Sequence, residues 1–238
     1  MDYVSFISNE DFYNSVKKVT VSAESKVNSF YIYKNTIDPF SMVFDTMIQG
    51  ISFEDWLSQE RARQLQKSLQ NNVGIFHQNL IGNLPGCESM KRGKVLDIVS
   101  EGKCIVAEVK NKFNTIKGVD KIHTYDRLKN KIEQPKYKGF TGYLVEIIPE
   151  KGSRYDELFT PPDNEKKEKR PKNEYIRRID GYSFYALVTD VPDALEQVYQ
   201  ALPRVISDVL DLPPEFTQRI YDDERVSDLF AKAYHTDK

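Results

Sequence analysis

No apolar run in the chain approaches the roughly 20 residues that a membrane span needs, so a helical transmembrane role is excluded. The opening stretch, MDYVSFISNEDFYNSVKK, lacks a basic start, an apolar core and a small-residue cleavage site. It does not read as a secretory signal, and the expected location is the cytoplasm. Cysteine is scarce: Cys87 and Cys104 do not form a metal-ligand spacing, and a reducing compartment keeps both as thiols used for packing. A surplus of one charge is also lacking. The 34 basic residues nearly balance the 36 acidic ones, so any grip on nucleic acid has to come from a local basic face. There is no internal repeat. What is present, 39% hydrophobic and 12% aromatic residues in 238, is an ordinary globular composition and is read as a single domain, 1–238.

Periodicity divides the chain. Residues 1–34 hold short β-prone stretches (KKVTVS, SFYIYK). A helical pattern opens at Ile37-Asp38-Pro39, continues through Phe40, Val43, Phe44 and Met47, and closes at Gly50. A second helix starts at Ser52, with Asp55 as a capping partner, and is expected to end near Gln70 because Asn71, Asn72 and Gly74 follow. From Lys94 the period becomes two: VLDIVS, a turn at Glu101-Gly102, then CIVAEVKNK, a β-hairpin. Helical spacing returns at Ile122, Tyr125, Leu128 and Ile132. FTGYLVEIIP and SFYALVTD read as strands, DALEQVYQALPRVISDVL as a helix, and Pro213 to about Tyr234 as one more. The Pro-rich, charge-dense stretch at about 161–178 reads as a mobile surface loop. This order predicts an α/β sandwich around a mixed sheet.

The hairpin carries the chemistry. Asp97, Glu108 and Lys110 interrupt an otherwise apolar pattern, and charges on a buried strand cost several kcal/mol unless paired or metal-bound. Side chains alternate along a strand, so Glu108 and Lys110 share a face. With a two-residue turn pairing Ser100 with Lys103, Asp97 falls opposite Val106 and diagonal to Glu108, roughly 7–8 Å away on that same face. Two such carboxylates suit a Mg²⁺ ion, and a neighbouring lysine can orient or deprotonate a water or stabilise developing negative charge, which is what phosphodiester hydrolysis requires. The other reading is a salt-bridged solvent face. Glu-x-Lys starts at Glu24, Glu101, Glu108 and Glu165, but only the copy at Glu108 lies in a clean strand with an acid on the strand before it.

Asp97, ten residues, then Glu108-Val109-Lys110 resembles the PD-(D/E)xK signature, with Leu96 standing where that name has proline. The strings EVKNKFNTIKGVDKIHTYDRL and WLSQERARQLQKSLQNNVGIFHQNLIG resemble a family of type II restriction endonucleases that read GGNCC-type sites, from about Phe53 to Leu144. The resemblance implies a restriction-endonuclease-like mixed central β-sheet flanked by helices. It also implies Mg²⁺-dependent hydrolysis of double-stranded DNA at a short palindrome in a bacterial cytoplasm, a homodimer, and a cognate DNA methyltransferase acting on the same site without stable binding. A nuclease-fold module that binds without cutting, and a repair or recombination nuclease, remain the alternatives.

Supporting residues follow from the same spacing. On the Ser52 helix the stripe Phe53, Trp56, Leu57 continues as Glu60, Gln64 and Lys67. The resemblance makes Glu60 a third catalytic acid and metal ligand, against a helix that simply leaves the core. His77 reads as a structural histidine rather than a general base. Gln64, Lys67, Gln78, Asn111, Lys112, Asn114 and Lys117 are candidate DNA contacts, and Glu88 and Lys91 lie just before the hairpin. The arm with Lys166, Lys167, Lys169, Arg170, Lys172, Arg177 and Arg178 is either a DNA-wrapping segment or a soluble loop.

Overall fold

A computed structural model describes residues 2–90, 96–163 and 167–235. Lys91, Lys94, Glu165 and Lys166, all named above, lie outside the described residues.

The chain opens with helix α1 (Asn9–Asn28), not with the β-prone stretches its valines suggest. Ser8 caps it, accepting from the Asp11 N–H while its own hydroxyl donates to the Asp11 carboxylate. Phe12 and Val16 bury one face of α1, so tertiary packing overrides the weak helix propensity of Val19, Thr20 and Val21. Helix α2 (Pro39–Gln49) starts and stops as its sequence predicts, with Asp38 accepting from Phe40 and Ser41 and Gly50 at φ 64°. Helix α3 (Phe53–Gly82) begins at the expected cap, Ser52, but runs straight through Asn71, Asn72 and Gly74, so GIFHQNLIG is its last third and not a separate element.

Strands β1 (Cys87–Ser89), β2 (Ile98–Ser100) and β3 (Ile105–Lys112) form an antiparallel meander. Helix α4 (Gly118–Ile132) then crosses over to β4 (Thr141–Ile148), which pairs parallel to β3. Strand β5 (Asp156–Leu158) is followed by a small hairpin of β6 (Pro162–Asp163) and β7 (Glu168–Lys169) and by β8 (Ile176–Asp180), parallel to β4. The main sheet has the order β1-β2-β3-β4-β8-β5 among the described residues, a mixed sheet flanked by helices of the restriction-endonuclease-like kind.

The segment SFYALVTD is helical, as part of α5 (Gly181–Thr189), and the strand lies just before it in YIRRID. Asp180 makes the switch by accepting from the Ser183 N–H as the helix cap. Gly181 is required there: a Cβ would sit 2.5 Å from the Ile147 carbonyl oxygen. Helix α6 (Ala194–Leu210) follows. The final stretch is two helices, α7 (Pro214–Tyr221) and α8 (Glu224–Tyr234), divided at Asp223, whose side chain caps α8.

Two apolar layers hold the sheet. One, with Phe12, Phe76, Leu80, Ala107, Val109, Val145, Ile147 and Tyr185, lies beneath α1, α3, α5 and α6. The other, with Val99, Val106, Tyr125, Leu128, Leu144 and Ile176, lies beneath α4. Glu108 shares the α4 face with Val106, which puts the acid at the edge of the second layer.

Candidate active site

The hairpin turn is longer than its Glu-Gly pair suggests. Ser100 pairs with Ile105, and Glu101–Cys104 make the turn, with Cys104 at φ 52°. Relative to the expected register every pair is offset by two residues, an even number, so the faces are unchanged. What changes is the neighbourhood of Asp97, which lies just outside β2: its N–H donates to the Ala107 carbonyl at 3.0 Å and its carboxylate reaches the Val109 N–H, the residues on either side of Glu108.

Backbone accounting explains why Asp97 stays there. Strand β2 ends at this point, leaving the edge of β3 open from Val109 onward. The Asp97 carboxylate accepts from the Val109 N–H at 2.8 Å, while Gln78 of α3 donates to the Val109 carbonyl at 3.3 Å. A side chain and a helix thus close an edge that would otherwise be unsatisfied. Further along, Asn111 reaches the Gln70 carbonyl at 3.5 Å.

Glu108 is 5% exposed. Its Oε1 accepts from Lys110 Nζ at 2.7 Å and from Arg127 Nη2 at 3.3 Å, and Arg127 is itself held by Thr124 Oγ1 at 3.1 Å. Burial pushes the Asp97 carboxyl up to about 6, and the charge of Glu108 adds to that rise. Val109 N–H, Lys110 and Arg127 oppose it. Two acids crowded in one desolvated cluster form a place where a divalent cation relieves repulsion.

The donor set fits a hard ion bound by one or two carboxylates, with water and phosphate oxygens completing its shell, as Mg²⁺ is commonly held. A closed protein cage is absent: no group of three or more His, Cys, Asp or Glu poised for a metal occurs among the described residues.

Glu60 does not join this cluster. Both Gln78 and Gln70 of α3 reach β3, and Glu60 precedes Gln70 by 10 positions on the same continuous helix, a separation of roughly 15 Å at about 1.5 Å per residue. Nor is it on a solvated face: Glu60 is buried and accepts from Arg63 at 2.5 and 2.6 Å and from Gln64 at 2.7 Å. Arg63 holds its carboxyl below the usual range, burial and the Gln64 hydrogen bond acting in opposite senses. Gln64 accepts from Asn35, which ties α3 to the connection between α1 and α2. Lys67 is exposed on the same helix.

Gln78, Asn111, Lys112 and Asn114 line a groove of about 420 Å³ that also includes Lys110 and Gly74. Lys117 is outside that lining, at the N-terminal cap of α4. His77 points into the first apolar layer, with Nδ1 2.9 Å from the Tyr185 hydroxyl, and burial lowers its pKa to about 4. Glu88 is exposed on β1. In the charged stretch, Arg170 pairs with Asp126 and Asp163, Arg177 with Asp156, and Arg178 with Glu157, while Lys167, Lys169 and Lys172 are exposed. The cations best placed for order are therefore already engaged by acids.

Two residues of the cluster escaped the sequence reading. Arg127 lies on the polar flank of the Tyr125–Leu128 stripe, and nothing in its spacing tied it to Glu108. Glu146 had a visible signal, a single acid in the apolar run YLVEIIP. It pairs in register with Lys110 on the same face, is 1% exposed, accepts from the Tyr155 hydroxyl, and leaves Oε1 without a hydrogen-bond partner among the described residues.

Sequence comparison extends these observations over most of the chain. The profile of the Eco47II restriction endonuclease family matches residues 4–211. The type II restriction enzyme Eco47II of Escherichia coli is 40% identical over 216 residues, 88% of this chain and 89% of that enzyme. The type II restriction enzyme Sau96I of Staphylococcus aureus is 32% identical over 216 residues, 88% of this chain and 82% of that enzyme.

Proposed function

This chain belongs to the Eco47II restriction endonuclease family and is a type II site-specific deoxyribonuclease, and we propose that Asp97, Glu108 and Lys110 perform its phosphodiester hydrolysis. The observation that carries the assignment is the Asp97 carboxylate on the Val109 N–H, between the buried Glu108 carboxylate and the Lys110 that pairs with it.

The family's reaction calls for a divalent cation, and the paired carboxylates favour Mg²⁺. When bound, that ion supplies charge neutralisation at the phosphate and lowers the pKa of a water. Asp97 and Glu108 would hold it. Asp97 is fixed in place by the Val109 N–H, so its free oxygen is pre-aimed. Lys110 starts as the partner of Glu108; once that carboxylate is engaged elsewhere, its ammonium is free to orient the attacking water or to meet negative charge on the phosphate. Arg127 remains on Glu108 and keeps it from swinging away. The Gln78–Asn111–Lys112–Asn114 groove opens beside Lys110 and is the surface we assign to the DNA backbone and base edges.

A GGNCC-like palindrome is the site this reading favours, on the resemblance of the α3 and β3–α4 strings. Cutting both strands of such a site takes two copies related by its two-fold axis, and protection of host DNA takes a methyltransferase of the same specificity.

Incubation of the purified protein with phage DNA and Mg²⁺ tests the reading. Discrete fragments whose sequenced ends share one motif are expected. A smear, or a preference for branched DNA, points to a repair nuclease, and no cutting across divalent metals points to a binding module. Asp97→Ala and Glu108→Ala should each lower cutting by at least about 10³-fold, the equivalent of several kcal/mol of lost charge stabilisation, with DNA binding retained. Full activity in either variant refutes the site.

A further inference from the structure

Helix α2 is amphipathic in the wrong sense for an isolated chain. Phe40, Val43, Phe44, Met47 and Ile48 recur at i, i+3, i+4, i+7 and i+8 and form one stripe, and they are 76%, 53%, 68%, 77% and 79% exposed. The side turned towards the body carries Met42, Asp45 and Thr46, all half-buried, with Met42 beside Phe53 and Trp56. An apolar stripe of this size facing water marks a surface that another molecule covers.

We propose that α2 is the face through which two copies of this chain associate, the stripe of one copy packing antiparallel on the stripe of the other. Charge selects the occupant. The helix carries no Lys or Arg, so it offers nothing to DNA phosphates or to an anionic lipid surface, both of which recruit basic side chains. Its one charged residue, Asp45, is on the inner side, so copy meets copy without like-charge repulsion. The stripe also suits a two-fold axis. With the axis near Phe44, Phe40 lies against the partner's Ile48 and Ile48 against the partner's Phe40, an isologous contact.

Area supports the same occupant. Aromatic side chains bury about 150–250 Å² each, and four of them with the aliphatic residues of both copies reach about 1,000 Å², the level at which a specific interface becomes stable. The inference rests on the reading that each chain holds one cutting site and that scission of a duplex takes two.

Sedimentation of the full-length protein without DNA or metal separates this proposal from the catalytic one. Wild type is expected to be a dimer at about 10 μM, a concentration well above the Kd that such an interface supports. The double variants Phe44→Glu with Met47→Glu, and Phe44→Lys with Met47→Lys, should each be monomeric, with unchanged circular dichroism and melting because the replaced side chains are exposed. Mixing the two variants should restore the dimer, which a folding defect would not do. Either variant remaining dimeric, or a mixture that stays monomeric, overturns the proposal. So does a wild-type monomer at that concentration, and if α2 then gains hydrogen-exchange protection only when DNA is added, the stripe belongs to nucleic acid.

Discussion

Glu108 is a carboxylate with two cations on one oxygen, and the two are not equivalent. Lys110 is mostly covered and one side chain along the same strand; Arg127 is 41% exposed and comes from another element, α4. Replacing Arg127 by methionine keeps most of its packing and removes a donor that orients Glu108, the acid proposed to act in catalysis. Such outer contacts are worth about 10–100-fold in activity. Arg127→Met is expected to lower the single-turnover cleavage rate by that factor with little change in melting temperature; an unaltered rate would remove Arg127 from the account. His77 offers a test of stability instead. Its ring is buried neutral with a pKa near 4, against an ordinary value of 6.5. Above pH 6.5 neither folded nor unfolded chain is protonated there, and His77 contributes no slope. Between 6.5 and about 4 only the unfolded chain takes up the proton, so stability falls with pH, by up to about 3 kcal/mol. Denaturant unfolding of wild type and His77→Gln across pH 7 to 4 should converge towards acid by about that amount, and parallel curves would contradict the burial.

At the scale of elements, the β2–β3 hairpin was legible because alternation is a strong signal and because its errors are forgiving in one respect. The turn was misjudged by two residues, and an even offset leaves the paired side chains of β2 and β3 on the expected faces. Glu60 was not forgiving. A helical stripe tells which way a residue points and says nothing about how far along a 30-residue helix the site lies. The Asn71-Asn72-Gly74 break failed because these residues are only mildly unfavourable inside a helix, and α3 is held against β3 on both sides of them, by Asn111 on the Gln70 carbonyl and Gln78 on the Val109 carbonyl. SFYALVTD is continuously apolar because α5 is buried on most sides, and such a run has no period by which to tell strand from helix. The β8–α5 junction is where sequence and packing agree most tightly. Gly181→Ala places a methyl 2.5 Å from the Ile147 carbonyl oxygen in the central strand β4. That overpacking should cost about 1–3 kcal/mol and lower the melting temperature by a few degrees. A variant that melts with wild type would mean that the junction yields.

For the molecule as a whole, near-neutral charge leaves DNA binding to local groups, and the arrangement of cations says which. Arg170, Arg177 and Arg178 are paired with acids of the fold, whereas Lys112 lines the groove beside Lys110. Lys112→Ala is expected to weaken binding to specific and nonspecific duplex alike and to reduce the slope of log affinity against log salt by about 1. An unchanged slope would move the DNA path elsewhere. The catalytic claim is more restricted, and calorimetric titration with Mn²⁺ tests it without relying on turnover. Wild-type protein should show saturable binding that disappears in both Asp97→Ala and Glu108→Ala while their folds persist. If either variant takes up the ion as wild type does, the two carboxylates do not share it, and the centre of this account is wrong.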